Sequence, residues 1–316
     1  MSRYVTVAAI SISPVYTYEQ ALPRGITMTD QIIAMLEREI QPVLWDKPDL
    51  IVLPEYVDLL YGGMVADSKR LCQENGDRVL QFLQDLARQN QCYITYPTRM
   101  VLPDGTARNT VRMIDRAGKV IGTYNKNFVM VTETENYNIL CGEDIPVFDC
   151  DFGRVCAIVC FDLNFEENRR RIKELKPDIT VFCSRFHGGF LQNYFAYDTR
   201  SYFVSALAKL PCQILSPLGE KIAGSTNYCP YVISRINLDY ALCHLDFNEQ
   251  KLRAAKEKYG PKLTIQDPGF LGSVLLTSET EGLTAQQVLE EFGLEALDEY
   301  LARSCRHRML HTEPSA

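Results

Sequence analysis

Short runs of β-branched and aliphatic residues alternate along this chain with stretches of helical length, and that alternation restricts the fold more than any other feature. A β-branched run suits a pleated strand, and apolar residues recurring every three or four positions line one face of a helix, so the pattern is one of helices packed on sheets. Residues 4–12 read as a strand, 28–44 as a helix with Ile32, Ile33, Leu36 and Ile40 on one face, and 49–53 as a strand running into Pro54-Glu55-Tyr56. Residues 68–88 are helical in period with a break at Gly76, and 92–96 form a third strand. Turn signals at Pro103-Asp104-Gly105 and Arg116-Ala117-Gly118-Lys119 separate the runs 98–101, 109–114 and 120–124, which predicts antiparallel hairpins and a mixed sheet.

A loop rich in Thr, Glu and Asn follows, then strands at 147–148 and 154–159, a helix from about 165 to 175 and a strand at 178–183. The pattern continues with a helix at 190–199, strands within 201–207 and 212–216, a hairpin turn at Pro217-Leu218-Gly219-Glu220, and 231–238 as the last strong strand. Residues 248–258 and 285–303 read as helices, and the chain from His311 onward as a frayed end.

At 316 residues with 46% hydrophobic and 23% charged side chains, the chain can fill one large core. The net charge of −7 and the absence of a basic stripe interleaved with aromatics argue against a nucleic-acid partner, and Arg169-Arg170-Arg171 reads as a solvated or subunit-facing helix surface. Eleven cysteines in a long chain, an odd count, and no secretory leader ahead of the first strand point to a reducing cytoplasm rather than a disulfide framework. The opening apolar run is too short to span a bilayer, so no membrane partner is expected. Neither a G-x-G-x-x-G after a strand nor a G-x-x-x-x-G-K-[ST] occurs, and no cofactor is implied. Cys141, Cys150, Cys156 and Cys160 lie close together but lack a C-x-x-C pair, and alternation along strands scatters them to opposite faces, so no metal site is expected.

Three polar residues stand at strand ends, Glu55, Lys126 and Cys160, where α/β proteins place reactive groups. A thiol attacks an amide carbonyl as thiolate and so needs a base, and the resulting oxyanion needs a cation or N–H donors. Carboxylate, ammonium and thiol supply that set. A helix beginning near Asn164 would place the Cys160 sulfur close to its N-terminus, which is expected to lower the thiol pKa.

In combination and order these residues resemble the nitrilase, or carbon-nitrogen hydrolase, superfamily. The resemblance rests on Ile51-Val52-Leu53-Pro54-Glu55, on residues 118–126 ending in Tyr124-Asn125-Lys126, and on residues 152–162, which carry Val159-Cys160-Phe161-Asp162. It implies an α/β fold, an αββα sandwich of two mixed sheets with outer helices, and a catalytic domain of residues 1–260. Residues 261–316 are then an extension packed on that domain or at a subunit interface of a homodimer or larger homo-oligomer. It implies that Glu55 shuttles the proton, that Cys160 forms a thioester, and that Lys126 with the backbone N–H of Phe161 holds the oxyanion. Family members often have a second glutamate facing the Lys. Glu135, seven residues before Gly142, is chosen here, with Glu133 as the alternative.

Phe161-Asp162 in place of Trp-Glu departs from true nitrilases and resembles the amidase and carbamoylase branches, so a small-molecule amide or N-carbamoyl compound is the expected substrate. An acyltransferase or a silent binding relative on the same fold is the alternative. Arg185 and His187, in the loop after the strand behind the nucleophile, are candidates to contact a substrate carboxylate, and Tyr56 and Tyr137 to line the pocket. For the two loop residues an ordinary turn held by hydrogen bonds is the competing reading, and for the two tyrosines simple packing is.

Overall fold

The computed structural model describes residues 3–12, 25–59, 65–209 and 211–312. In chain order the strands are β1 (Tyr4–Ile10), β2 (Leu50–Val52), β3 (Tyr93–Val101), β4 (Ala107–Ile114), β5 (Val120–Asn125), β6 (Phe148–Cys150), β7 (Gly153–Val159), β8 (Ile179–Ser184), β9 (Tyr202–Leu207), β10 (Gln213–Leu215), β11 (Lys221–Gly224), β12 (Tyr231–Asn237), β13 (Tyr240–His244), β14 (Leu263–Gln266) and β15 (Ser273–Ser278). The helices are α1 (Met28–Leu44), α2 (Val65–Asn75), α3 (Arg78–Asn90), α4 (Val131–Tyr137), α5 (Glu166–Leu175), α6 (Phe190–Thr199), α7 (Glu249–Tyr259), α8 (Ala285–Phe292) and α9 (Leu297–Leu310). The chain divides into two compact units, Val5–Ile236 and Asn237–Ala316 with Met1–Tyr4.

The larger unit contains two six-stranded mixed sheets, ordered β12-β1-β2-β3-β4-β5 and β11-β10-β9-β8-β7-β6. In the first, β1, β2 and β3 are parallel and β4 and β5 add as antiparallel hairpins. The second repeats the scheme, with β7, β8 and β9 parallel and the flanking strands antiparallel. Strands buried on both faces read as nearly continuous apolar runs, as Leu50–Val52 and Val155–Val159 do. One face of the first sheet (Ala8, Ile10, Ile51, Ile94) packs on α1 and α3 through Ile32, Leu36, Ile40, Leu83 and Ala87. On the other side of that sheet β2 meets β8 and β9, and β4 meets β7, while α6 covers β9. The αββα sandwich expected from the sequence is therefore present.

Several boundaries differ from expectation for identifiable reasons. The expected runs 92–96 and 98–101 are one strand, β3, continuous through Pro97. The Pro97 carbonyl accepts from Val57 N–H on the side where β2 has already ended, so the missing proline N–H interrupts no ladder. Gly76, at φ 47°, does separate two helices. The loop rich in Thr and Glu contains the short helix α4, and the stretch 285–303 is two helices because Gly293 adopts φ 58° and ends the first.

In the smaller unit β15 pairs antiparallel with β13 on one side and β14 on the other. Cys243, Leu252, Leu263, Leu276, Val288 and Leu289 join this sheet to α7 and α8. Residues 231–238 are thus not the last strong strand, and β13 belongs with β14 and β15 in the smaller compact unit. The expected frayed end lies, from residue 313 onward, outside the described residues. Among the described residues no helix is long and apolar enough to cross a membrane.

Candidate active site

Glu55, Lys126 and Cys160 each follow directly on a strand: Glu55 three residues after β2, Lys126 after β5, and Cys160 after β7. The first two come from one sheet and the third from the other, and Glu55 and Cys160 line the same cavity of about 320 Å³. Lys126 lies behind Glu55. Its Nζ is 3.3 Å from Glu55 Oε1, and the two residues are only 1% and 4% exposed.

The second carboxylate at Lys126 is that of Glu133, with Oε2 at 2.7 Å from Nζ. Glu135, chosen from the sequence, is exposed. The reason is helical geometry: Glu133 is the third residue of α4, its carboxylate accepts from Met130 N–H at 2.9 Å to close the first turn, and a residue two positions on is rotated by roughly 200° to the solvent side. Glu133 Oε1 accepts in addition from Tyr56 OH (2.8 Å) and Asn109 Nδ2 (3.0 Å).

Asn109 was not anticipated, and it links the whole cluster. Its Nδ2 also donates to Glu55 Oε1 at 2.9 Å, and its backbone carbonyl accepts from Lys126 N–H at 2.8 Å. Its sequence signal was an amide in the middle of a strand otherwise suited to burial. The Lys126 carbonyl in turn accepts from Gly142 N–H at 2.8 Å, and a Cβ at Gly142 would run into the Asn125 carbonyl, so this position requires glycine for close approach. Burial works against the Lys126 ammonium, but Glu55 and Glu133 overcome it and hold its pKa above the usual value. Burial likewise opposes the Glu133 carboxylate, and Lys126 with its other donors keeps its pKa below the ordinary range.

Cys160 has φ 47°, a left-handed conformation that costs a non-glycine residue about 1 kcal/mol and turns the chain sharply from β7 into a single-turn 3₁₀ segment, Cys160–Asn164. Phe161 N–H lies in the first turn of that segment, where backbone donors have no intrahelical partner. Burial first, and then the Glu55 charge, push the Cys160 thiol up to about 12, against the opposing pull of Lys126, the Arg185 N–H and the Ser184 hydroxyl. The lowered thiol pKa expected from a nearby helix N-terminus is therefore absent: α5 starts only at Glu166, and burial outweighs it.

Asp162, also unassigned from sequence beyond its place in the motif, braces this turn. It accepts from Val159 N–H (2.9 Å), Phe128 N–H (2.9 Å) and Tyr124 OH (2.7 Å), and so ties the Cys160 turn to the segment around Lys126. Burial raises its pKa to about 6 in spite of these donors.

Of the proposed pocket residues, Tyr56, Tyr137 and Arg185 line the cavity together with Leu59, Arg99, Met130 and Ile139. The Arg185 guanidinium stacks on the Tyr56 ring at 5.3 Å and donates to the carbonyls of Glu55 (3.4 Å) and Tyr56 (3.3 Å). His187 does not line the cavity. Its Nδ1 accepts from Gly189 N–H at 3.1 Å, which makes it part of its own turn. The Phe161 ring likewise packs away, edge-on against Phe165. No group of three or more His, Cys, Asp and Glu among the described residues is arranged to hold a metal ion.

Residues 6–202 match the carbon-nitrogen hydrolase family. The chain is 27% identical over 174 residues to a hydrolase in the pqqF 5' region of Pseudomonas protegens, covering 53% of this chain and 59% of that protein. It is 24% identical over 119 residues to the 2-oxoglutaramate amidase of Bacillus subtilis, covering 38% and 45%. The chain thus spans about half the length of these curated relatives. A crystal structure of the carbon-nitrogen hydrolase from Helicobacter pylori G27 superposes with a TM-score of 0.64 at 13% identity, covering 82% of this chain and 96% of that one.

Proposed function

The chain belongs to the carbon-nitrogen hydrolase family, and on that premise we propose that it hydrolyses a small amide or N-carbamoyl compound through a thioester on Cys160. With the thiol held neutral, attack and deprotonation are coupled: as sulfur bonds to the carbonyl carbon, the S–H proton passes to Glu55 and the carbonyl electron pair moves onto oxygen. Lys126 and the Phe161 N–H receive that oxyanion. Collapse of the tetrahedral intermediate breaks the C–N bond, and Glu55 returns its proton to the departing nitrogen, which leaves as ammonia or an amine. Water then attacks the thioester with Glu55 as base, and the proton ends on the Cys160 sulfur as the acid departs.

The observation that carries this reading is the burial of Lys126 between two carboxylates, Glu55 and Glu133, both of which line one cavity with Cys160. Such an ammonium keeps its charge in a dry site, where it acts on a developing oxyanion far more strongly than in water. The cavity lies at the small end of the range for ligand sites, which favours a compact substrate. Ammonia release from a panel of amides, ureido acids and nitriles, with mass spectrometry of the acylated Cys160 peptide, tests the proposal. Cys160→Ala should abolish turnover and leave the thermal unfolding profile in place. Turnover surviving in that variant would refute the covalent mechanism.

A further inference from the structure

Arg99, on β3, points to the class of substrate. Its side chain is only 7% exposed, it lines the same cavity as Cys160, and its Nε has no hydrogen-bond partner. Nη2 donates to the Cys72 sulfur at 3.3 Å, a weak acceptor, and the guanidinium carbon lies 5.2 Å from the centre of the Tyr137 ring. A guanidinium has five N–H donors in a rigid planar fork and does not shed its charge on burial. Sulfur and a ring face match neither the fork nor the full charge, whereas a carboxylate matches both.

Asp58, which lines an adjoining hollow with Arg99, accepts from Tyr96 OH (2.6 Å) and Thr98 Oγ1 (2.8 Å) on Oδ2, while its buried Oδ1 has no hydrogen-bond partner, and no described carboxylate lies at ion-pair distance from Arg99. Arg185, the other cation on the wall, holds the backbone carbonyls at Glu55 and Tyr56. Around the buried cluster and the wall, Lys126, Arg99 and Arg185 stand against Glu55 and Glu133, with Asp58 in the adjoining hollow that Arg99 also lines. Leu59, Met130 and Ile139 supply apolar wall in the same cavity.

We propose that Arg99 is the specificity-determining residue that binds a carboxylate on the substrate, so that the amide hydrolysed here is the monoamide of a short dicarboxylic acid or a near analogue with an apolar spacer. This rests on the hydrolase reading above for the amide end and on Arg99 alone for the acid end. The sequence had placed carboxylate recognition on Arg185 or His187.

The test compares succinamate, glutaramate and adipamate with the uncharged butyramide, valeramide and hexanamide by ammonia release. The parent enzyme should favour at least one acid amide over its uncharged match by about 10²-fold in kcat/KM, the scale of losing one buried charge-assisted contact. Arg99→Met should collapse that ratio to below about threefold, and Arg99→Lys, which keeps charge but loses the fork, should fall between. Separately, titration calorimetry of the Cys160→Ala protein with succinate, glutarate and adipate should show binding that Arg99→Met abolishes. Arg99-dependent dicarboxylate binding without ammonia release from any amide would leave the anion site standing and sink the hydrolase reading. A preference that survives in Arg99→Met, or no preference and no Arg99-dependent binding, would overturn the assignment and leave Arg99 as a partner of Asp58. Asp58→Asn then serves as the check, since a mere counter-ion role predicts that it disturbs the fold as much as Arg99→Met does.

Discussion

Glu133 accepts from four donors at once: Lys126 Nζ and Met130 N–H on one oxygen, Tyr56 OH and Asn109 Nδ2 on the other. A glutamine there keeps the volume but turns one of those oxygens into an NH₂ group facing donors, and it leaves Lys126 with Glu55 alone, at 3.3 Å. Breaking one half of a buried ion pair costs about 3 to 5 kcal/mol. The glutamine oxygen can still serve two of the four donors, so the loss for Glu133→Gln should sit near the lower end, about 3 kcal/mol. Because Lys126 would then be drawn toward Glu55, the same change should cost about 10² in kcat, comparable to removing an oxyanion donor. Urea denaturation gives the first quantity and ammonia release under saturating amide the second. Glu135→Gln, on the exposed side of α4, should stay within about 0.5 kcal/mol and leave turnover alone. If the two variants behaved alike, the assignment of the second glutamate would be wrong.

Two further outcomes follow from the charge arrangement. In Glu55→Gln the loss of a neighbouring negative charge should let Cys160 ionise at lower pH than the roughly 12 set by burial and Glu55, seen as iodoacetamide alkylation of the Cys160 peptide rising at lower pH. Turnover should nevertheless fall by about 10² or more, since the proton shuttle is gone; an unchanged alkylation profile or near-parental turnover would contradict this. For Asp162 the folded pKa, about 6, stands above the ordinary 3.8, so its contribution to stability is complete below about pH 4 and is lost as pH rises through about 6, at most about 3 kcal/mol. Tyr124→Phe removes a donor that lowers this pKa, so the acid limb of kcat/KM should move to higher pH, and a limb that does not shift would detach Asp162 from the catalytic turn.

The fold was legible because its determinants are local and periodic. The helix at 28–44, with its Thr27 cap and apolar face, came out at the expected bounds, and the strands before Glu55 and Cys160 carry the apolar runs Leu50–Val52 and Val155–Val159. What escaped the sequence depends on rotation and burial. The choice of Glu133 over Glu135 is a matter of which residue occupies the first turn of a helix only seven residues long, too short to show a period. The thiol pKa was misjudged because a helix N-terminus can be guessed from spacing, whereas the desolvation that outweighs it requires three dimensions. Asn109 and Arg99, and Asp162 through Tyr124 and Phe128, meet partners distant in the chain, and nothing adjacent to them in sequence announces those partners.

The groups proposed to react are mounted on two different sheets, with Glu55 and Lys126 on one and Cys160 on the other. Arg185 reaches across from the second sheet to the carbonyls of Glu55 and Tyr56, and the Thr95 hydroxyl that accepts from Leu53 N–H also bonds the Cys183 thiol opposite. Alignment of acid, cation and sulfur is therefore only as good as the mating of these two surfaces. A lost methyl group or a slightly wider gap in the layer between them would leave every strand paired and every helix seated, yet move the proposed nucleophile and base out of line. Such changes would be felt first as slower turnover, well before they were felt as unfolding.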